Sequence, residues 1–299
     1  MSSENLPVRE LRIAVTGKDG QVVTALRERG PGVGMTILPV GRPEMDLSAP
    51  ETVMPALQAQ KPDVIVSAAA YTAVDKAESE PELAFAINGT GAGAIAQAAQ
   101  ALDVPIIHLS TDYVFAGTKP DPYVEDDATG PLSVYGASKL EGEKQVQEAT
   151  PNHVILRTAW VYSPFGNNFV KTMLRLAEDR DQLPIVADQQ GRPTSALDIA
   201  DAILAIAGQV TSDPSPHLRG VFHLAATGEA TWAAFAEEIF RQAGKAVAVE
   251  PIPTSAYPTP AQRPANSRLD GTKLQHCYGL VLPDWRTATA QTIQRLMTA

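Results

Sequence analysis

The chain has 299 residues, 44% hydrophobic and 19% charged, a balance that belongs to a folded globular protein and excludes a disordered one. Its net charge of -10 argues against a nucleic-acid partner, which calls for a basic surface, while local Arg and Lys can still meet a small anion. The single cysteine, Cys277, excludes an internal disulfide and fits a reducing, cytoplasmic setting.

In chain order, Met1 to Glu10 is polar and lacks an apolar core, so no secretory signal is expected. Leu11–Val15 is a short apolar run ending at a glycine turn, which predicts a buried strand. A helix follows over Gln21–Arg29, stopped by Gly30-Pro31-Gly32, and Thr36–Val40 is a second strand. Ala49–Gln60 reads as a helix and Asp63–Ser67 as a third strand. Glu80–Leu102 reads as one long Ala-rich helix, and Pro105–Leu109 as a fourth strand. Leu132–Glu148 is helical and His153–Arg157 is a fifth strand. Further helices are expected over Asn168–Asp179, Leu197–Gly208 and Trp232–Ala243. No apolar run approaches the ~20 residues of a membrane span.

Alternation of strand and helix with short connections means parallel strands with helical crossovers, an α/β doubly wound sheet. Continuous apolar strands suit a sheet covered on both faces. Past residue 160 the rhythm loosens and prolines gather over Pro251–Pro264. The expected division is therefore a dinucleotide-binding region over 1–160, and a mixed region over 161–299 that completes the sheet and forms a smaller lobe.

Thr16-Gly17-Lys18-Asp19-Gly20-Gln21-Val22-Val23 joins the first strand to the first helix. Glycine there lets the backbone approach a pyrophosphate, and the helix N-terminus supplies N–H groups and partial positive charge. The spacing is G-x-x-G, and Val23 stands where the longer fingerprint has a third glycine, leaving the helix room to sit further from the strand. No acid occurs from Thr36 to Arg42 to grip a ribose. Arg42 can instead face a 2′-phosphate, which favours NADPH and leaves NADH open; solvated surface is the competing reading of Arg42. Asp46-Leu47 lies where the chain can flank an adenine.

Tyr135 and Lys139 are four residues apart near the start of a helix and so share one face. A nearby ammonium lowers a phenol from its usual value near 10 and fits it for proton exchange. Such a pair also occurs by chance on surfaces. Ser110-Thr111-Asp112-Tyr113 follows the fourth strand, at the sheet end where open α/β folds bind ligands. Thr111 can donate to a carbonyl there or simply cap a turn. Ala68-Ala69-Ala70-Tyr71-Thr72 follows the third strand with side chains small enough for a flat cofactor.

Taken together, TGKDGQV, AAAYTAVDKAE, LSTDYVFAG, PLSVYGASKLEGE, LRTAWVY, GRPTSALDIA and RPANSRLD make the chain similar to the extended short-chain dehydrogenase/reductases. Among these it resembles the branch that reduces a dTDP-linked 4-keto-6-deoxysugar. The resemblance implies a Rossmann-type sheet with a smaller C-terminal substrate lobe. It implies Thr111, Tyr135 and Lys139 as the catalytic trio, with Tyr135 and Lys139 also touching cofactor. Gly17, Asp19, Gly20, Gln21 and Val22 would line the pyrophosphate, and Ala68, Ala69, Ala70 and Thr72 the cofactor cleft. Val74, Asp75, Asp112, Tyr113 and Trp160, with Thr111, would surround the deoxysugar, with Asn168, Arg192 and Arg263 weaker candidates for its nucleotide. Rivals are an epimerase or dehydratase of the same fold, and a non-catalytic NADP-binding relative, the regulatory subunit of methionine adenosyltransferase. Monomer and homodimer are both compatible with the sequence, and a Mg²⁺ held by surface carboxylates would leave no signature.

Overall fold

The computed structural model describes residues 10–298, so the stretch read for a signal lies outside the described residues but for Glu10. Six parallel strands form the central sheet: β1 (Leu11–Thr16), β2 (Met35–Val40), β3 (Val64–Ser67), β4 (Ile106–Thr111), β5 (His153–Thr158) and β6 (Gly220–His223), in the order β6-β5-β4-β3-β1-β2. The order reverses about β1, as in a doubly wound Rossmann sheet, and ligands in such folds bind beyond the strands' C-terminal ends. The sixth strand comes from the C-terminal half.

The helices are α1 (Gln21–Arg29), α2 (Val53–Gln60), α3 (Val74–Ala77), α4 (Pro81–Phe85), α5 (Gly91–Ala101), α6 (Val134–Ala149), α7 (Phe169–Leu176), α8 (Ala196–Ser212), α9 (Trp232–Ala243), α10 (Thr272–Tyr278) and α11 (Trp285–Thr298). One face of the sheet packs Ile13, Val15, Ile107 and Leu156 against α1 and α8. The other packs Ala14, Ile65 and Ile106 against α2 and α5. Val23 sits in the first of these layers, 2% exposed, as an ordinary core residue of α1. A separate apolar cluster joins α7, α9 and α11 through Phe235, Ile239, Phe240 and Trp285, and forms the smaller lobe. Among the described residues, no helix is long and apolar enough to cross a membrane.

Several boundaries moved. The helix expected over Ala49–Gln60 begins with a 3-10 turn at Pro50–Thr52. The long helix expected over Glu80–Leu102 is three pieces, with a π-helical turn at Ala86–Thr90 between α4 and α5. Gly89, Gly91 and Gly93 are poor helix formers and only weaken the helix here; the packing of α6 sets where it breaks. They permit α6 to pack closely: a side chain on Gly93 would collide with Gln145, and one on Gly142 with the Asn88 carbonyl. Wide turns of this kind often mark functional positions, and this one places Asn88 beneath the cleft.

Candidate active site

The loops that follow β1, β3 and β5 converge with the end of β4 and with α6 on one cleft of about 490 Å³. Its floor is the turn after β1. Gly17 has φ +97°, a left-handed geometry that suits glycine. Gly20 starts α1 with no side chain capping it, so the first-turn N–H groups face the cleft. Asp19, Gln21 and Val22 complete this side. Thr16 fixes the next loop by accepting from the amides of Ala68 and Ala69 at 3.0 and 2.9 Å. Ala68, Ala69, Ala70 and Thr72 line the cleft opposite. A second hollow of about 280 Å³ continues from the same turn and is lined by Lys18, Gly41, Arg42, Asp46 and Leu47.

These features fit a dinucleotide. A helix N-terminus without an acidic first turn, a positive-φ glycine and a wall of alanines leave space where phosphates and a flat ring need it. Lys18, which the sequence reading left unassigned, joins Arg42 at the outer hollow and is paired with Glu44. Among the described residues, no group of three or more His, Cys, Asp or Glu is placed to hold a metal ion.

Tyr135 and Lys139 both reach the cleft from the first turns of α6. Ser133 starts that helix by accepting from the Gly136 amide at 3.1 Å. Thr111 lies near enough to the Tyr135 hydroxyl to favour its phenolate, so these two side chains converge. Thr111 has a second task, since its Oγ1 accepts from the Tyr113 amide at 3.2 Å and caps the turn after β4. The capping reading of Thr111 is therefore met. Asn88 was missed in the sequence. It accepts from the Tyr71 amide at 2.7 Å and donates to the Ser138 hydroxyl at 3.0 Å, tying the alanine loop to α6.

The electrostatics differ from expectation. Burial pushes the Tyr135 phenol up to about 12, against the pull of Thr111. The Lys139 ammonium donates to the Leu109 carbonyl at 2.6 Å and approaches His108 Nε2 at 3.4 Å. Burial brings Lys139 itself down to about 8, and the nearby Glu143 carboxylate opposes that fall.

The residues expected around a sugar are dispersed. Asp112 is 2% exposed; its Oδ1 accepts from Thr111 at 3.0 Å, and its Oδ2 is buried with no hydrogen-bond partner in the structure. Tyr113 meets the Tyr135 ring edge-on at 5.5 Å. Val74 is half-buried at the start of α3. Asp75 is paired with Arg263 at 2.8 Å, linking α3 to the C-terminal segment. Trp160 stacks on Trp232 with ring centroids 3.6 Å apart, and the Gly191 backbone lies against it. Trp232 and Arg263 border an apolar pocket of about 380 Å³ with Phe169, Leu183 and Ile185. Asn168 caps α7 and donates to Gln21 at 3.0 Å, while Arg192 lines a separate cavity beside α10.

Asp112 has a measurable consequence. Burial raises its carboxyl to about 6, against bonds from Ser267 and Thr111. The folded chain therefore binds more protons than the unfolded chain between about pH 4 and pH 6, and stability falls as pH rises through that window. Asp112→Asn should be more stable than the parent at pH 7.5 by about 2–3 kcal/mol, with the gain vanishing near pH 4. Urea unfolding at both pH values checks this, and equal gains at both would remove Asp112 ionisation as the cause.

A doubly wound parallel sheet with a tyrosine and lysine on one helix beside a glycine-turn cleft defines the short-chain dehydrogenase/reductase type of oxidoreductase. Comparison narrows the class. A family model described as RmlD substrate binding domain matches residues 11–298. The dTDP-4-dehydrorhamnose reductase of Sinorhizobium fredii is 54% identical over 292 residues, covering 96% of this chain and 98% of that protein. The reductase of the same name from Escherichia coli K12 is 46% identical over 297 residues, covering 96% and 99%. A Bacillus anthracis dTDP-4-dehydrorhamnose reductase, solved in complex with NADP, superposes with TM-score 0.91 at 35% identity, covering 96% of this chain and 100% of that one. The chain belongs to the dTDP-4-dehydrorhamnose reductase family.

Proposed function

We propose that the protein reduces the C4 ketone of dTDP-4-dehydro-6-deoxy-L-mannose to the hydroxyl of dTDP-L-rhamnose, with NADPH as reductant. The observation that carries this is the placement of Tyr135 and Lys139 on one wall of the alanine-lined cleft, with Thr111 beside the Tyr135 hydroxyl. The substrate and cofactor come from relatives bearing that activity's name, one of them solved with NADP.

Bound NADPH would supply the hydride that adds to C4. As charge grows on the ketone oxygen, the Tyr135 hydroxyl delivers its proton there, leaving a phenolate that is reprotonated through the solvent. A phenol near 12 is almost fully protonated at neutral pH, yet is a much stronger acid than an alcohol. It thus favours proton delivery in the reducing direction. Thr111 holds the carbonyl, and one Lys139 N–H remains for the cofactor's ribose once Leu109 and His108 have engaged the other two. Gly17, Gly20 and the start of α1 would hold the pyrophosphate, and Arg42 with Lys18 the 2′-phosphate. The apolar pocket bordered by Trp232 and Arg263 offers an aromatic wall to a nucleoside and a guanidinium to its diphosphate. We assign 1–160 to the cofactor and the lobe within 161–299 to the substrate.

The test is NADPH consumption by the purified chain with enzymatically prepared dTDP-4-keto sugar, with the product identified by NMR. A retained 6-deoxy sugar with a new C4 hydroxyl supports the reading. Loss of water or bare epimerisation would replace it with a dehydratase or epimerase, and NADP binding without turnover with a regulatory subunit.

A further inference from the structure

We infer that His108 is a positioning residue, which accepts a hydrogen bond from the Lys139 ammonium and directs that ammonium toward the cleft. The inference rests on the reductase reading above and adds to it a residue behind the catalytic wall.

His108 lies on β4, three residues before Thr111, and is 1% exposed. Its two ring nitrogens meet different partners. Nδ1 stands 2.9 Å from the Ser67 hydroxyl on β3, and Nε2 stands 3.4 Å from Lys139 Nζ on α6. The ring therefore bridges two neighbouring strands to the helix that carries Tyr135.

An ammonium has only donors, so the nitrogen facing it must present a lone pair. That places the ring proton on Nδ1, where Ser67 accepts it. This is the tautomer the partners select. Burial and the Lys139 charge hold the ring well below its usual titration range, so it stays neutral and does not repel the ammonium. The Leu109 carbonyl, one residue along the same strand, takes a second Nζ proton at 2.6 Å. Two adjacent residues of β4 thus fix two of the three ammonium protons, and the third is aimed by exclusion. The alternative is that His108 only fills space between the strands.

The experiment separates these roles by matching side-chain length. Gln places an oxygen near the position of Nε2, whereas Asn places one near Nδ1. His108→Asn should weaken NADPH binding about tenfold and lower kcat, because a hydrogen bond to a charged group is lost. His108→Gln should restore much of both. Ser67→Ala leaves the imidazole in place, releases its tautomer and should weaken NADPH binding in the same direction by a smaller factor. NADPH fluorescence titration reads binding without substrate, and thermal unfolding confirms that each variant is folded. In the ¹⁵N-labelled parent, the ring of His108 should show the Nδ1–H tautomer by long-range nitrogen–proton correlation. An Nε2–H tautomer, or equal behaviour of the Asn and Gln variants, would overturn the inference. A parent chain that binds NADPH but does not reduce the keto sugar would instead overturn the reductase reading, leaving the tautomer result to stand by itself.

Discussion

Tyr135→Phe should lower turnover by about 10² to 10⁴ while leaving NADPH binding close to the parent value, the effect of deleting a general acid. That range is about 3–5 kcal/mol of transition-state stabilisation. The substitution removes one oxygen and keeps the ring that Tyr113 meets edge-on, so packing should hold. Lys139 keeps its bonds to Leu109 and its approach to His108, which is why cofactor affinity should survive. A second proton source stands close by. Asp112 reaches Thr111 at 3.0 Å and titrates at about 6. If the Phe variant kept near-normal turnover, with a rate that falls as pH rises past about 6, the proton would be coming from Asp112 through Thr111. Retained turnover that is flat through that range would point to water. Steady-state rates with NADPH and the keto sugar from pH 5 to pH 9 distinguish the three outcomes.

The fold was legible because its signals are local. Apolar runs such as Asp63–Ser67 and His153–Arg157, set between helical stretches, read as buried parallel strands. The helix Gln21–Arg29 matched at both ends because glycines flank it. The break at Ala86–Thr90 was not legible, since it depends on α6 packing against Gly93 and on Asn88, contacts made across about fifty residues. The cleft lining was readable for the same reason as the strands: Gly17, Ala69 and Tyr135 each follow or open a regular element. Side-chain direction was not. Nothing in the spacing of Asp75 and Arg263 announces their pairing across 188 positions, nor that Trp160 would stack on Trp232. Nor could spacing show that the Lys139 ammonium would donate to the Leu109 carbonyl on β4. Those outcomes are set by burial, which a single chain reveals only after it is folded.

Breaking the ion pair beneath the catalytic wall should cost more stability than any surface change. Glu143 lies one turn beyond Lys139 on α6 and is 1% exposed, while Arg157 on β5 is 4% exposed. Arg157 donates from Nε and Nη2 to the two carboxylate oxygens at 2.9 and 2.7 Å, and Ser110 donates to the same carboxylate at 2.5 Å. The guanidinium also lies over the Phe115 ring at 4.9 Å. Glu143→Ala leaves a buried guanidinium with its main partner gone and a buried hydroxyl without its acceptor. The expected loss is about 3–5 kcal/mol in urea unfolding, most of it the price of an uncompensated charge. Combining Glu143→Leu with Arg157→Leu removes the charge together with the partner, so the double variant should regain most of that stability. The pair also acts on the site: the Glu143 carboxylate supports the charged form of Lys139 against burial. A double variant that is stable yet binds NADPH poorly would show that the ion pair is kept for the charge of Lys139. A double variant as unstable as Glu143→Ala would show instead that the bidentate geometry holds α6 on the sheet, and that its attraction exceeds the cost of taking two charges out of water.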